Sequence, residues 1–400
     1  MITRILVILV VVTVSASSAF AEPPHVSYIF PAGGQRGTEV SFKVGGHYLH
    51  EGCPFEMSGP GVTASSRIER TETVWFEGPL IPQPASQRKE DYPKDYLGTV
   101  KIANDASPGI RRWRVNTSQG VTPRMQFVVG DLPEVVEAEI DGEPIATSVQ
   151  LPVTINGRIF PREDVDIWTF DVTAGERISC EVNAARIGSP LDSRIEIRSP
   201  DGTVLTENVD ALGIDSFVQF VAPKAGRYEC RIHDIEFNGL QHYVYRLTIR
   251  KGPHIDSVYP LGGRRGEEVT VQFSGADLPT KQATIAIPQD ADRQLDLSLP
   301  DVATNNVTLV TGDLPEHLET EPNSAPDDVN SGAVPVGSGV TFNGRIDKPG
   351  DVDLWRISAE AGRTLLLEVQ SSRLGTSLDS VLSVLSSDGR QLATNDDLAG

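Results

Sequence analysis

The residues best spaced for chemistry are acidic, and they come in duplicate. Asp164-Val165-Asp166 returns as Asp351-Val352-Asp353, and upstream Glu137-Ala138-Glu139-Ile140-Asp141 aligns with Glu319-Thr320-Glu321-Pro322-Asn323. In an extended backbone successive side chains alternate, so each pattern places its oxygen-bearing groups on one face. Two carboxylates on a face suit a proton-transferring acid and base, or they ligate a hard cation. Nothing cleft-forming accompanies Asp164 and Asp166, and the chain holds no HExxH, no GxSxG and no cysteine-histidine signature. The expectation is therefore no catalytic residue among these 400, and no enzyme within them. His47, His50 and Cys53 are close in sequence, but a zinc site needs a fourth ligand. The chain's own second copy has Ala276 and Pro279 at the two histidine positions, which favours a loop with incidental histidines.

The elements that must position these acids are themselves repeated. Asn156-Gly157-Arg158-Ile159 through Trp168 recurs as Asn343-Gly344-Arg345-Ile346 through Trp355, a constant offset of 187 positions. Ala174-Gly175 falls on Ala361-Gly362, Leu191-Asp192-Ser193 on Leu378-Asp379-Ser380, and Asp201-Gly202 on Asp388-Gly389. A second repeat precedes each of these: Val26 to Pro31, Gly33-Gly34-Gln35-Arg36-Gly37 and the alternating Val40, Phe42, Val44 return from Ile255 to Phe273. Gly130-Asp131-Leu132-Pro133-Glu134 and Gly312-Asp313-Leu314-Pro315-Glu316 mark the exit from one module type into the other. Turn signals every 8 to 12 residues, without helical periodicity, predict an all-β chain of tandem sandwiches. The glycines of the Gly-Gly turns are expected to supply positive φ, since no helix pattern or Lys-Ser/Thr pair follows to make a phosphate loop.

The expected order is a signal peptide at 1–21, a sandwich at 26–130, a second with its acidic linker at 131–250, a short third at 253–312 and a fourth at 313–400. The fourth reads as incomplete, because Gly400 falls on Gly213 and the counterpart of 214–250, with its core strands, is missing. A continuation past residue 400 is the expectation. The first sandwich is longer by a proline-punctuated loop from Gly78 to Pro93, beside which Trp75, Phe76, Tyr92 and Tyr96 either form a contact surface or pack the loop onto the sheet.

A formal charge of −20 argues against nucleic acid and anionic membrane surfaces. Arg4, the apolar run Ile5 to Val14 and the small residues of Ala19-Phe20-Ala21 read as an export signal cleaved before Glu22. No later segment has the roughly 20 apolar residues a membrane span requires. The expected location is secreted, periplasmic or at the cell surface. Of three cysteines, Cys180 and Cys230 sit on the apolar side of alternating strands, where they form either a disulfide or two buried thiols. Leu367, aligned with Cys180, favours the thiols, and Cys53 has no evident partner.

Pro31, Gly34, Gly37, Val40 and Gly46 resemble the opening of IPT/TIG immunoglobulin-like domains. The resemblance is stronger in the other module. Asn156 to Ile159, Asp164-x-Asp166-x-Trp168-x-Phe170, Ala174-Gly175, Leu191 to Ser193, Pro200-Asp201-Gly202 and Ala222 to Tyr228 together resemble the bacterial pre-peptidase C-terminal (PPC) domain. Glu321-Pro322-Asn323 and Thr394 to Asp397 add to the likeness. It implies a jelly-roll-like sandwich attached to secreted enzymes, often peptidases, that serves in binding rather than catalysis. Some collagen-binding members hold calcium between an acidic linker and the loop before the Asp-x-Asp strand. Carried onto this chain, that implies Glu137, Glu139, Asp141, Asp164 and Asp166 in the first copy. In the second it implies Glu319, Glu321, Asn323, Asp351 and Asp353. Ser324 stands where the family often has Asp, and the alternative is a solvated linker beside a strand-start turn. The expected function is an exported, non-catalytic binding or adhesion protein for an extracellular or periplasmic protein or polysaccharide. The alternatives are an accessory region of a secreted peptidase or other hydrolase, and a structural spacer.

Overall fold

The computed structural model describes residues 23–72, 94–138, 145–291, 293–299, 304–327, 329, 332–371 and 374–396. The signal segment, the loop with Trp75, Phe76 and Tyr92, and both Glu139 and Asp141 lie outside the described residues. Those that are described are strands and turns, with one short 3-10 turn at Ala185–Ile187. They form tandem β-sandwiches. No helix among them is long and apolar enough to cross a membrane.

In the first sandwich His25–Phe30, Glu39–His47, Lys94–Ile102 and Val62–Ala64 face a sheet of Gly33–Gln35, Met125–Gly130, Gly109–Thr117 and Phe55–Ser58. Alternation along these strands drives Phe42, Val44, Val100, Trp113, Val115 and Phe127 into one core. The third sandwich repeats the plan in miniature, down to the bulge: register shifts between Val26 and Tyr28 in one and between Ile255 and Ser257 in the other. The Gly-Gly segments are not turns. Gly33–Gln35 and Gly262–Arg264 are strands paired in parallel with Val128–Gly130 and Val310–Gly312, and only Gly37 (φ 81°) and Gly266 (φ 78°) take positive φ. Gly33 serves close approach instead, since a Cβ there would lie 2.0 Å from the Arg246 guanidinium and 2.4 Å from the Val128 carbonyl oxygen.

The second sandwich sets Glu134–Val136, Val153–Arg158, Val244–Lys251, Arg177–Asn183 and Phe217–Val221 against Thr147–Ser148, Asp166–Val172, Gly226–Asp234, Ser193–Arg198 and Val204–Asn208. Cys180 and Cys230 are buried in its core from opposite sheets, and both are free thiols.

The fourth module keeps three pairings of the second. Glu316–Leu318 runs parallel to Thr341–Asn343 as Glu134–Val136 does to Thr154–Asn156. Leu382 pairs with Asn395 as Ile195 does with Asn208, the same register at the same offset. Val334–Pro335 pairs in parallel with Ile357–Ser358, two residues out of step with Thr147–Ser148 on Trp168–Thr169. The stretch from Thr364 to Gln370, counterpart of Arg177–Asn183, forms no strand, and Leu366 stands 93% exposed. The strands that hold Arg177–Asn183, namely Phe217–Val221 and Val244–Lys251, have no counterparts among the described residues.

Candidate metal centre

The acidic linker follows Glu316–Leu318 into the fourth module, and Glu319, Glu321 and Asp353 converge there. One carboxylate oxygen of each lies within 4.8 Å of the others. Backbone bonds tie the linker to two segments: Glu319 N donates to the Asn343 carbonyl (2.9 Å) and Leu354 N to that of Asn323 (3.1 Å). Asn323 is 4% exposed, and its own N–H donates to Glu321 Oε2 at 3.1 Å. Two buried oxygens, Asn323 Oδ1 and Asp353 Oδ1, have no hydrogen-bond partner. A buried acceptor without a donor is costly, and a bound cation is one way to satisfy it. Burial, then the charges of Glu319, Asp351 and Glu321, push Asp353 up to about 6.

Gly344 makes the convergence possible. A Cβ there would stand 2.6 Å from Asp353 Oδ2 and 2.9 Å from Glu319 Oε2, so any other residue would push the carboxylates apart. Glu319 Oε2 also accepts from Arg345 N at 2.9 Å. Asp351 is turned elsewhere: it accepts from Asp347 N and Ser324 Oγ, closing the turn that runs from Asp347 to Asp351. The donor set of Glu319, Glu321, Asp353 and Asn323, all oxygen and mostly anionic, fits a hard divalent cation such as Ca²⁺.

The first copy is closed differently. Glu137 Oε2 accepts from Arg158 N (2.8 Å), while Asp164 Oδ2 accepts from Phe160 N (3.0 Å). Asp166 is buried and accepts from Tyr245 Oη at 2.6 Å; that hydroxyl in turn accepts from Trp168 Nε1 at 2.9 Å. Gly157 leaves room for the Tyr245 ring, whose nearest atoms would be 2.2 Å from a Cβ. Burial raises Glu137 above the usual carboxylate range against the lowering effect of its hydrogen bond with Asp166, and burial, then the charge of Glu137, raises Asp166 well above that range.

The arginine of Asn-Gly-Arg reaches across to the preceding sandwich. The Arg158 guanidinium lies 4.2 Å above the Phe30 ring and 5.2 Å from that of Tyr28, both in the first sandwich. Arg345 lies 4.3 Å above Tyr259, the counterpart of Phe30 in the third. The asparagines also repeat, Asn156 donating to Glu134 Oε2 (2.7 Å) and Asn343 to Glu316 Oε2 (2.6 Å). At the first joint Arg246 adds bonds to Glu134 Oε1 (2.7 Å) and Asn156 Oδ1 (2.8 Å). The constant offset of Phe30 and Tyr259 was the available signal. His47, His50 and Cys53 do not meet as a trio: Cys53 Sγ meets His50 Nδ1 at 3.2 Å, while His47 faces His25 with ring centroids 6.4 Å apart. Tyr96 is buried, its hydroxyl donating to the Leu49 carbonyl.

Residues 164–234 match the family model of the bacterial pre-peptidase C-terminal domain. A probable subtilase-type serine protease of Deinococcus radiodurans is 41% identical over 66 residues, which is 16% of this chain and 9% of that protein. The chain thus spans under a tenth of the length of that curated relative. Among solved structures, the pre-peptidase C-terminal domain of a Bacillus anthracis collagenase is 19% identical, covering 27% of this chain and 97% of that one, with a TM-score of 0.23. The periplasmic g-type lysozyme inhibitor of Aeromonas hydrophila is 16% identical over 28% of this chain and all of its own, also with a TM-score of 0.23.

Proposed function

We propose that this chain is an exported, non-catalytic binding protein, in which IPT/TIG-like immunoglobulin-type sandwiches alternate with PPC-like sandwiches and calcium fastens the acidic linker of the second pair. The observation that carries the metal assignment is the meeting of Glu319, Glu321 and Asp353 beside two buried oxygens that have no donor. The family match at 164–234 supports the binding role, and the ligand class is an extracellular or periplasmic protein or polysaccharide. Titration calorimetry of the full chain with Ca²⁺ is expected to give saturable heat and a rise in melting temperature, both lost in Asp353→Asn. No heat and no rise in the parent chain would remove the metal. A second reading has a specific observation behind it: the similarity over 66 residues to a probable subtilase-type serine protease favours an accessory region of a peptidase. Sequencing the gene past codon 400 separates the two, since a serine-nucleophile or zinc motif there supports the peptidase and further repeats or an anchor support the first reading.

A further inference from the structure

The three residues Asn343-Gly344-Arg345 touch the carboxylates with their backbone and the third sandwich with a side chain. Arg345 N holds Glu319 Oε2, Gly344 packs between Glu319 and Asp353, and the Arg345 guanidinium rests on the Tyr259 ring. Tyr259 closes the circuit from the other side: its hydroxyl donates to the Asn343 carbonyl at 3.0 Å, the same oxygen that accepts from Glu319 N. We infer that Tyr259, a residue of the third sandwich, positions Glu319 in the metal centre, so that cation binding and the docking of the third sandwich on the fourth module are one coupled equilibrium. This rests on the calcium reading above and adds its regulation.

The first joint is the internal comparison. Arg158 still stacks, on Phe30 and Tyr28, and Glu137 still accepts the Arg158 N–H, but Phe30, the counterpart of Tyr259, has no hydroxyl, and that of Tyr28 donates to Asp95 instead. Among the described residues, a tyrosine hydroxyl bonded to the Asn-Gly-Arg backbone is therefore found at the joint beside Glu319, Glu321 and Asp353. Coupling of this kind is reciprocal: if the ion tightens the joint by some factor, loosening the joint must weaken the ion by the same factor.

The test uses the full chain, Ca²⁺ as probe, and the variants Tyr259→Phe, Tyr259→Ala and Asp353→Asn. Tyr259→Phe, the residue that the first copy carries, is expected to weaken Ca²⁺ binding about fivefold, and Tyr259→Ala more. Spin labels on Lys281→Cys and Ser383→Cys, in a background with the native cysteines replaced by alanine, are expected to show an interdomain distance distribution that narrows on adding Ca²⁺, and that narrows less in Tyr259→Ala. The mild Tyr259→Phe change keeps the ring and guards against loss of fold. Equal Ca²⁺ affinity in all Tyr259 variants, with an unchanged distance distribution, overturns the coupling while leaving the metal centre standing. Absence of Ca²⁺ binding in the parent chain overturns the metal centre itself, and the coupling with it.

Discussion

At the scale of single residues, Glu319, Glu321 and Asp353 each bring a carboxylate oxygen within 4.8 Å of the others. Glu319, Glu321 and Asp353 were legible as oxygen donors because alternation fixes their face; Asp351, on that face by the same rule, is drawn into a turn cap by Asp347 N and Ser324 Oγ. Tyr259 was not legible, because its partners lie more than eighty positions away. Arg246 shows the energetic side of such long-range pairing. It is 4% exposed and bonded to Glu134, whose side chain is 9% exposed. Removing one partner of a buried pair strands the other's charge. Arg246→Ala is expected to cost about 3–5 kcal/mol, seen as a lowered urea midpoint at constant slope. A loss below about 1 kcal/mol would mean Glu134 is solvated in the folded state.

At the scale of elements, strand identity followed from alternation, whereas strand survival depended on neighbours. Arg177–Asn183 is a strand held between Phe217–Val221 and Val244–Lys251, whereas Leu365, Leu366 and Leu367 form no strand and are exposed. The loop before Val244–Lys251 carries His242, whose Nδ1 is buried without a partner. Burial, then the nearby His47 and His25 of the first sandwich, hold His242 below the usual imidazole range. A folded-state value below the unfolded one gives stability that is present above about pH 6.5 and lost as pH falls through the depressed value. The melting temperature of the first two sandwiches should therefore drop between pH 7.5 and 5, and His242→Gln should flatten that drop. Parallel pH profiles for parent and variant would place the sensitivity in another group.

At the scale of the whole molecule, the sandwiches touch rather than hang apart. Ile187 and Val244 of the second are buried in the core of the first, Arg177 pairs with Asp277 of the third at 2.6 Å, and Phe217 packs on His254 with centroids 4.8 Å apart. Scanning calorimetry should accordingly show the first two sandwiches melting together, and Val244→Asp should split that transition in two, since it puts a charge into the shared core. Two transitions in the parent chain would instead make the sandwiches independent. What the sequence determined by itself was local or periodic: the all-β class, the duplicated plan and the acidic faces, each set by alternation and by identity at a fixed offset. What only the tertiary structure decided was which faces meet: the arginine on the preceding ring, the glycine that admits two carboxylates, and the tyrosine that reaches the centre from the neighbouring sandwich. Those depend on the distance between segments far apart in the chain, and side-chain spacing along one strand carries no information about that distance.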